Sequence, residues 1–255
     1  NLIFIYRVIK LEVYHLLFGL ALLGVILYIR KYLVQKRKDK IGRQGERIVS
    51  RKLRFWLGWS GSKVYDDVTF MTVSGGTTQI DHVVLSRKGI FCIETKNLSG
   101  ELKGDVEDKS WLHYNRVGKK NIVYNPLMQN EAHINHLAKV LEVDPSLIDG
   151  YVTNVGDAKL KGNINPIFGK TAIEKGTGFI MKLAFRSSGK FSKDELKSFK
   201  ELLDEKIKDV DRNIDSKHKD YVRKIKGDSS LDFLASYLYF VIGVLILFML
   251  YKIFY

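Results

Sequence analysis

The sequence predicts an α/β fold of mixed, α+β-like character: a mixed central sheet flanked by helices, with an apolar helix at each end of the chain. Three observations predict it. Both ends are apolar while the middle is polar and basic. The middle reads, in order, as helix, strand meander, helix, strand, strand and helix. The strand Ile90 to Lys96 opens on a continuous apolar run and carries its charges only at its end. The chain has 255 residues, 45% of them hydrophobic, and a formal net charge of +14. Such a length suits one globular domain of ordinary size plus accessory segments.

Val13 to Ile29 is almost uninterruptedly apolar, with His15 its one ionisable residue. Arg30, Lys31, Lys36, Arg37, Lys38 and Lys40 follow directly, and no small-residue cleavage site intervenes. A stop-transfer anchor therefore reads better than a signal peptide. Leu2 to Ile9 extends it as an upstream apolar piece. Ile41, Ile48, Val49, Leu53, Phe55 and Trp56 form a helical stripe over Ile41 to Leu57, ended by Gly58 to Gly61, with Glu46 in its first turns. Val64 to Thr72 alternates as a strand, and Ser74-Gly75-Gly76 makes a hairpin turn. Thr77 to Leu85 and Ile90 to Lys96 are strands joined by the turn Ser86-Arg87-Lys88-Gly89. Leu102 to Gly104 and Trp111 to Tyr114 add short edge strands.

Pro126 opens a helix to about Leu141, at the first-turn position proline favours. Ile148 to Val155 is a strand, and Thr177 to Phe185 is expected as another despite its glycines. Ser192 is an N-cap and Glu195 completes a capping box for a helix through about Ile207. Asp209 to Lys226 is a charged stalk or linker. Phe233 to Tyr251 holds no charged residue, and at ~1.5 Å per residue it reaches roughly 28 Å, about a bilayer's hydrocarbon thickness. Tyr237, Tyr239 and Tyr251 lie near its ends, where interfacial aromatics belong. The expected parcels are thus 1–34 (first span), 35–190 (globular domain), 191–232 (charged helix and linker) and 233–255 (second span).

Positive charge flanks the middle on both sides, since Lys217, Lys219, Arg223, Lys224 and Lys226 precede the second span. The positive-inside rule then places residues 30–232 in the cytoplasm and both spans in the inner (plasma) membrane. Part of the net charge is accordingly a topology and lipid-headgroup signal. The single cysteine, Cys92, suits a reducing compartment and reads as core. No G-x-x-x-x-G-K-[ST], no G-x-S-x-G and no paired cysteine motif occurs, which excludes a P-loop motor, a nucleophile-elbow hydrolase and a zinc finger.

The chemistry concentrates in Gln79-Ile80-Asp81-His82 and Ile93-Glu94-Thr95-Lys96. Two antiparallel strands joined at Ser86–Gly89 bring Asp81 close to Glu94, and side-chain alternation puts Glu94 and Lys96 on one face. Ile90 to Ile93 is continuously apolar, the mark of a strand buried on both faces. Charges at the mouth of such a strand are costly unless used or paired. Two carboxylates can hold Mg²⁺ while it keeps several waters, and a nearby ammonium can orient water or stabilise phosphate charge. A solvated Glu-x-Lys ion pair is the plainer reading of that triplet alone.

Gly45-Glu46, Gly76-Thr77-Thr78-Gln79-Ile80-Asp81-His82, Gly89 to Asn97, Gly100, Trp111, Asn125-Pro126-Leu127 and Gln129-Asn130 occur together and in order. Over roughly residues 42–140 this set resembles the nuclease-related domain (NERD) family and, through it, the PD-(D/E)XK nuclease superfamily. The resemblance implies a restriction-endonuclease-like core and a role for each matching position. Glu46 helps bind metal or hold a metal-bound water. Asp81 is the first metal-binding carboxylate. Glu94 and Lys96 are the Glu-x-Lys pair, with the Thr95 carbonyl as a further ligand. Gln129 contacts the site or the substrate backbone. The proline that leads the superfamily motif is absent, since Gln79-Ile80 precedes Asp81. The implied cofactor is Mg²⁺ or Mn²⁺. The implied activity is a membrane-anchored, metal-dependent deoxyribonuclease acting on DNA at the cytoplasmic face of the inner membrane, with a homo-oligomer needed for coordinated double-strand cutting. The alternative is a non-catalytic, membrane-tethered nucleic-acid-binding module.

Other candidates have milder readings. His82 points away from Asp81 if the strand is regular, and so packs or hydrogen-bonds on the far side. Gln129, His133 and His136 share a helix face, from which His133 could reach substrate, though an exposed helix histidine is the commoner case. Trp111 reads as core and Tyr114 as core or a stacking platform. Lys103, Lys109, Arg116, Lys119 and Lys120 form either a basic lip for phosphate or a solvated loop.

Overall fold

The strands of the middle segment build two sheets, where the sequence predicts one. The computed structural model describes residues 2–58, 61–71, 76–164, 171–187, 189–208, 239 and 243. In chain order its elements are α1 (Leu2–Leu57), β1 (Lys63–Met71), β2 (Thr77–Ser86), β3 (Gly89–Lys96), β4 (Glu101–Lys103), β5 (Ser110–Tyr114), β6 (Lys120–Tyr124), α2 (Pro126–Leu141), β7 (Ile148–Asn154), β8 (Lys159–Lys161), β9 (Thr171–Lys175) and α3 (Gly178–Ala184). A last helix, α4, covers 193–208. The larger sheet has the order β1-β2-β3-β7-β9, and the smaller β6-β5-β4-β8. β1, β2 and β3 are an antiparallel meander, while β7 and β9 join in parallel. The smaller sheet repeats the scheme, with β6, β5 and β4 antiparallel and β8 parallel to β4. A parallel partner needs a crossover, and the β3-to-β7 crossover contains α2 and most of the smaller sheet.

The apolar run of β3 is buried on both faces, as its composition predicts. Ile90 and Cys92 pack with Ile134, Leu137 and Leu141 of α2 and with Leu196 and Leu203 of α4. Phe91 and Ile93 pack with Val49, Leu53 and Leu57 of α1 and with Phe179, Ile180 and Leu183 of α3. Each such side chain contributes roughly 1.5–3 kcal/mol on burial. A third cluster, with Leu102, Trp111, Leu127, Val152 and Ala158, lies under the smaller sheet. There a Cβ on Gly104 would fall 2.1 Å from Trp111 Cδ1, so only glycine fits. Trp111 is core, 1% exposed, and its Nε1 donates to the Asp105 carbonyl at 2.8 Å.

Several expectations are corrected. The helix expected to begin at Ile41 is the end of α1, which runs unbroken from Leu2. Nothing between Arg30 and Lys40 is glycine or proline, so the charged stretch continues the helix, and Glu46 lies far from its first turn. Thr177 to Phe185 is not a strand. Gly176, at φ +68°, turns the chain out of β9. The residues after it form α3, because Phe179, Ile180 and Leu183 make one buried helical face. β4 and β5 are not edges of the main sheet but belong to the second one. The capping box forms as expected: Ser192 N donates to Glu195 Oε2 at 2.8 Å, and Glu195 N to Ser192 Oγ at 3.1 Å.

Lys40–His218 is one compact unit and holds both sheets, while Asn1–Asp39 belongs to another. One described helix is long and apolar enough to cross a membrane, with a mean hydropathy of 1.9 in its most apolar window. The predicted second span, Phe233 to Tyr251, lies outside the described residues except for Tyr239 and Gly243, as do the stalk at Asp209 to Lys226 and the turn residues Ser74 and Gly75.

Candidate active site

β2 and β3 pair from Ser86↔Gly89 to His82↔Ile93, so the next rung sets Asp81 across from Glu94. On its other side β2 pairs with β1 at Asp66↔His82 and Val68↔Ile80, skipping Asp67 and Asp81. Asp67 has φ +55°, a left-handed conformation that costs a non-glycine residue energy and that Asp tolerates better than most. The alternation of β2 slips at the same place. Ile80, Val83 and Leu85 lie in one core cluster and Val84 in the other. Residues three apart thus share a face, and Asp81 sits at the slip.

Beyond the slip, which breaks the regular alternation expected from the sequence, His82 turns to the α1 side. It is buried, and its Nδ1 lies 2.7 Å from Asp66 Oδ1. Asp66 Oδ2 also accepts from Ser50 Oγ at 2.7 Å and Arg54 Nη2 at 2.6 Å. His82 Nε2 is buried with no hydrogen-bond partner among the described residues. It lines a cavity of about 160 Å³ with Arg43, Glu46, Arg47 and Asp67.

Glu94 faces α2. Lys96 Nζ donates to Glu94 Oε1 at 2.6 Å and to Gln129 Oε1 at 3.0 Å. His133 Nε2 stands 3.4 Å from Glu94 Oε2, an ion pair when the imidazole is protonated, and Oε2 accepts no hydrogen bond of good geometry among the described residues. Thr78 Oγ1 lies 3.0 Å from His133 Nδ1. Asp81 Oδ2 accepts from the Thr95 backbone N at 2.7 Å. Glu46 approaches because Gly45 lets α1 close on the end of β3: a Cβ at Gly45 would meet Asn97 Cβ at 2.8 Å and Val155 Cγ2 at 3.2 Å.

The structure therefore brings Asp81, Glu94, Lys96 and Gln129 together at the ends of β2 and β3, and Glu46 on α1 lies near enough to feel Glu94 and to act on Asp81. Their charges feel one another. Burial, then the Glu94 carboxylate, pushes Asp81 well above its ordinary value, against the Thr95 N–H and Lys96. Burial also raises Glu94, but His133 and Lys96 outweigh it and hold that carboxyl below its ordinary value. Burial, Asp67 and Glu94 raise Glu46, against His82 and Arg43. The Glu94 carboxylate thus raises both Asp81 and Glu46, a concentration of negative potential that a dication would relieve.

Among the described residues no three His, Cys, Asp or Glu side chains form a metal cage. The donors still fit a hard cation that keeps most of its waters. They are the Asp81 and Glu94 carboxylates and the Thr95 carbonyl, and Glu94 Oε2 is a buried acceptor lacking a hydrogen bond.

Thr78 joins the site without having been expected there, and His133, for which an exposed place was the commoner expectation, is buried in it. The four-residue spacing from Gln129 to His133 is legible in the sequence, but burial of His133 against Glu94 follows from packing. His136 packs on Phe70, ring centroids 5.4 Å apart. Lys103, Lys109, Lys119 and Lys120 are exposed, and Arg116 pairs with Asp157.

Residues 41–155 match the family model of the nuclease-related domain. An uncharacterized protein of Bacillus anthracis is 33% identical over 127 residues, covering 50% of this chain and 59% of that protein. No solved structure matches the chain.

Proposed function

Since residues 41–155 are a nuclease-related domain, we propose that the chain is a membrane-anchored, metal-dependent nuclease of the PD-(D/E)XK type with a restriction-endonuclease-like core. It hydrolyses DNA phosphodiester bonds at the cytoplasmic face of the inner membrane. The observation that carries this reading is Lys96 Nζ held between Glu94 and Gln129, one strand away from Asp81. Asp81, Glu94 and the Thr95 carbonyl would hold Mg²⁺ or Mn²⁺, with Glu46 supporting them from α1. The cation, when bound, supplies charge that polarises the phosphate and acidifies the attacking water. Lys96 orients that water or stabilises charge developing on phosphorus, and Gln129 fixes the ammonium where it is needed. The apolar Val13 to Ile29 and the basic stretch after it support the anchor and its orientation. A second copy would supply the paired site for cutting both strands.

The test is cleavage of supercoiled plasmid and linear duplex DNA by the full-length chain in detergent, with Mg²⁺ or Mn²⁺. Lys96→Ala should lower cleavage by about 10²-fold or more. It also leaves the buried Glu94 without its ammonium, so its folding is checked by thermal melting, and Asp81→Asn serves as an independent variant. Cutting that survives both substitutions defeats the proposal. DNA binding unchanged by EDTA, with no cutting in either metal, leaves a tethered binding module instead.

A further inference from the structure

The smaller sheet carries a face that the carboxylate site does not use. β6 alternates cleanly, with Lys120, Ile122 and Tyr124 exposed and Asn121 and Val123 turned inward. Its register with β5 pairs Lys120 with Tyr114, Ile122 with Leu112 and Tyr124 with Ser110. β4 continues the same face, with Glu101 opposite Tyr114 and Lys103 opposite Leu112. β8 completes it, with Lys159 opposite Glu101 and Lys161 opposite Lys103. Paired residues point to one side of a sheet. The other side holds Leu102, Trp111, Val123 and Leu160, which pack in the core. From this register we infer that the outer face of the smaller sheet is a docking platform for single-stranded nucleic acid.

The charge fits a polyanion. Glu101 is the face's one carboxylate, and it pairs with Lys161 at 2.7 Å. Lys103, Lys120 and Lys159 have no ion-pair partner among the described residues. The aromatic component is what argues for nucleic acid. Tyr114 sits in a cross-strand row between Glu101 and Lys120, and Tyr124 and Ile122, 49% and 72% exposed, lie further along β6. Aromatic rings set among lysines stack on bases of any sequence. The strand state follows from the rings: unpaired bases are free to stack on Tyr114 and Tyr124, whereas a duplex keeps its bases stacked on one another. The inference rests on the nuclease reading for its substrate class, and on the strand register alone for the face.

The experiment uses the full-length chain in nanodiscs of neutral lipid, with EDTA so that nothing is cut. Fluorescence anisotropy follows a labelled oligothymidylate and a duplex of equal length. The single strand should bind at least about tenfold more tightly. Lys103→Glu/Lys120→Glu/Lys159→Glu should weaken it at least tenfold and lower the slope of log affinity against log salt by about 2, near 0.7 per lost phosphate contact. Tyr124→Ala should weaken the single strand about fivefold or more and leave the duplex unchanged. The milder Lys→Gln set should give the same order of effects if charge reversal disturbs folding. Unchanged affinity in both lysine sets overturns the platform, and equal binding of duplex overturns the single-strand assignment. Phosphatidylglycerol vesicles that release the oligonucleotide at equal phosphate concentration reassign the face to lipid. Cleavage by Lys96→Ala tests the nuclease reading and oligonucleotide binding by the lysine and tyrosine variants tests the face, so either can fail without the other.

Discussion

At the scale of single residues, Asp66 holds a buried imidazole in place. Its burial favours the neutral acid, but hydrogen bonds from His82, Ser50 and Arg54 win and hold the carboxyl far below its ordinary range. A carboxyl depressed in the folded state contributes stability above its unfolded pKa, near 3.9, and that stability disappears as pH falls through the folded value. Asp66→Asn should therefore cost about 1–3 kcal/mol at pH 7, partly by weakening the hold on His82 Nδ1. The gap between variant and parent should close progressively below about pH 4. Denaturant melts across pH 2 to 8 check it, and a gap constant with pH contradicts the assignment. The triplet Asp81, Glu94 and Lys96 is legible in the sequence because charges at the end of an apolar run need a purpose. The slip at Asp81 and the left-handed Asp67 are not, because each is a response to the neighbouring strand.

At the scale of elements, Asn125 joins the smaller sheet to α2. Its Oδ1 caps the helix by accepting from Leu127 N at 2.9 Å and Met128 N at 3.5 Å. Its Nδ2 donates to the carbonyls of Val106 and Asp108 at 3.0 and 2.7 Å. Asn125→Ala removes the cap and two hydrogen bonds to the half-buried Val106 and exposed Asp108 segment, so about 1–3 kcal/mol should be lost. A circular-dichroism melt measures it, and a shift within error contradicts the role. Pro126 and the capping box at Ser192 were readable because capping chemistry is local. α3 was not, because its glycines and short length leave helix and strand undecided until Phe179, Ile180 and Leu183 find α1. β8 is only three residues long, and strands that short exist through their partner.

At the scale of the whole molecule, the apolar character of the ends was legible by composition, and the division into two sheets was not. Parallel pairing between β3 and β7, and between β4 and β8, joins segments far apart in sequence, which no local pattern records. The proposed anchor predicts that the chain stays in the membrane pellet after alkaline carbonate washing, and its recovery in the supernatant would contradict it. One junction links the two sheets' tasks. β6 ends at Tyr124 and α2 starts at Pro126, so the chain has no slack between a strand that faces outward and the helix turn bearing Gln129. One residue inserted there would advance the helix by about 100°. The chain would have to surrender either the Asn125 cap or the Gln129 grip on Lys96, which makes this the point where a lengthened loop is least tolerable.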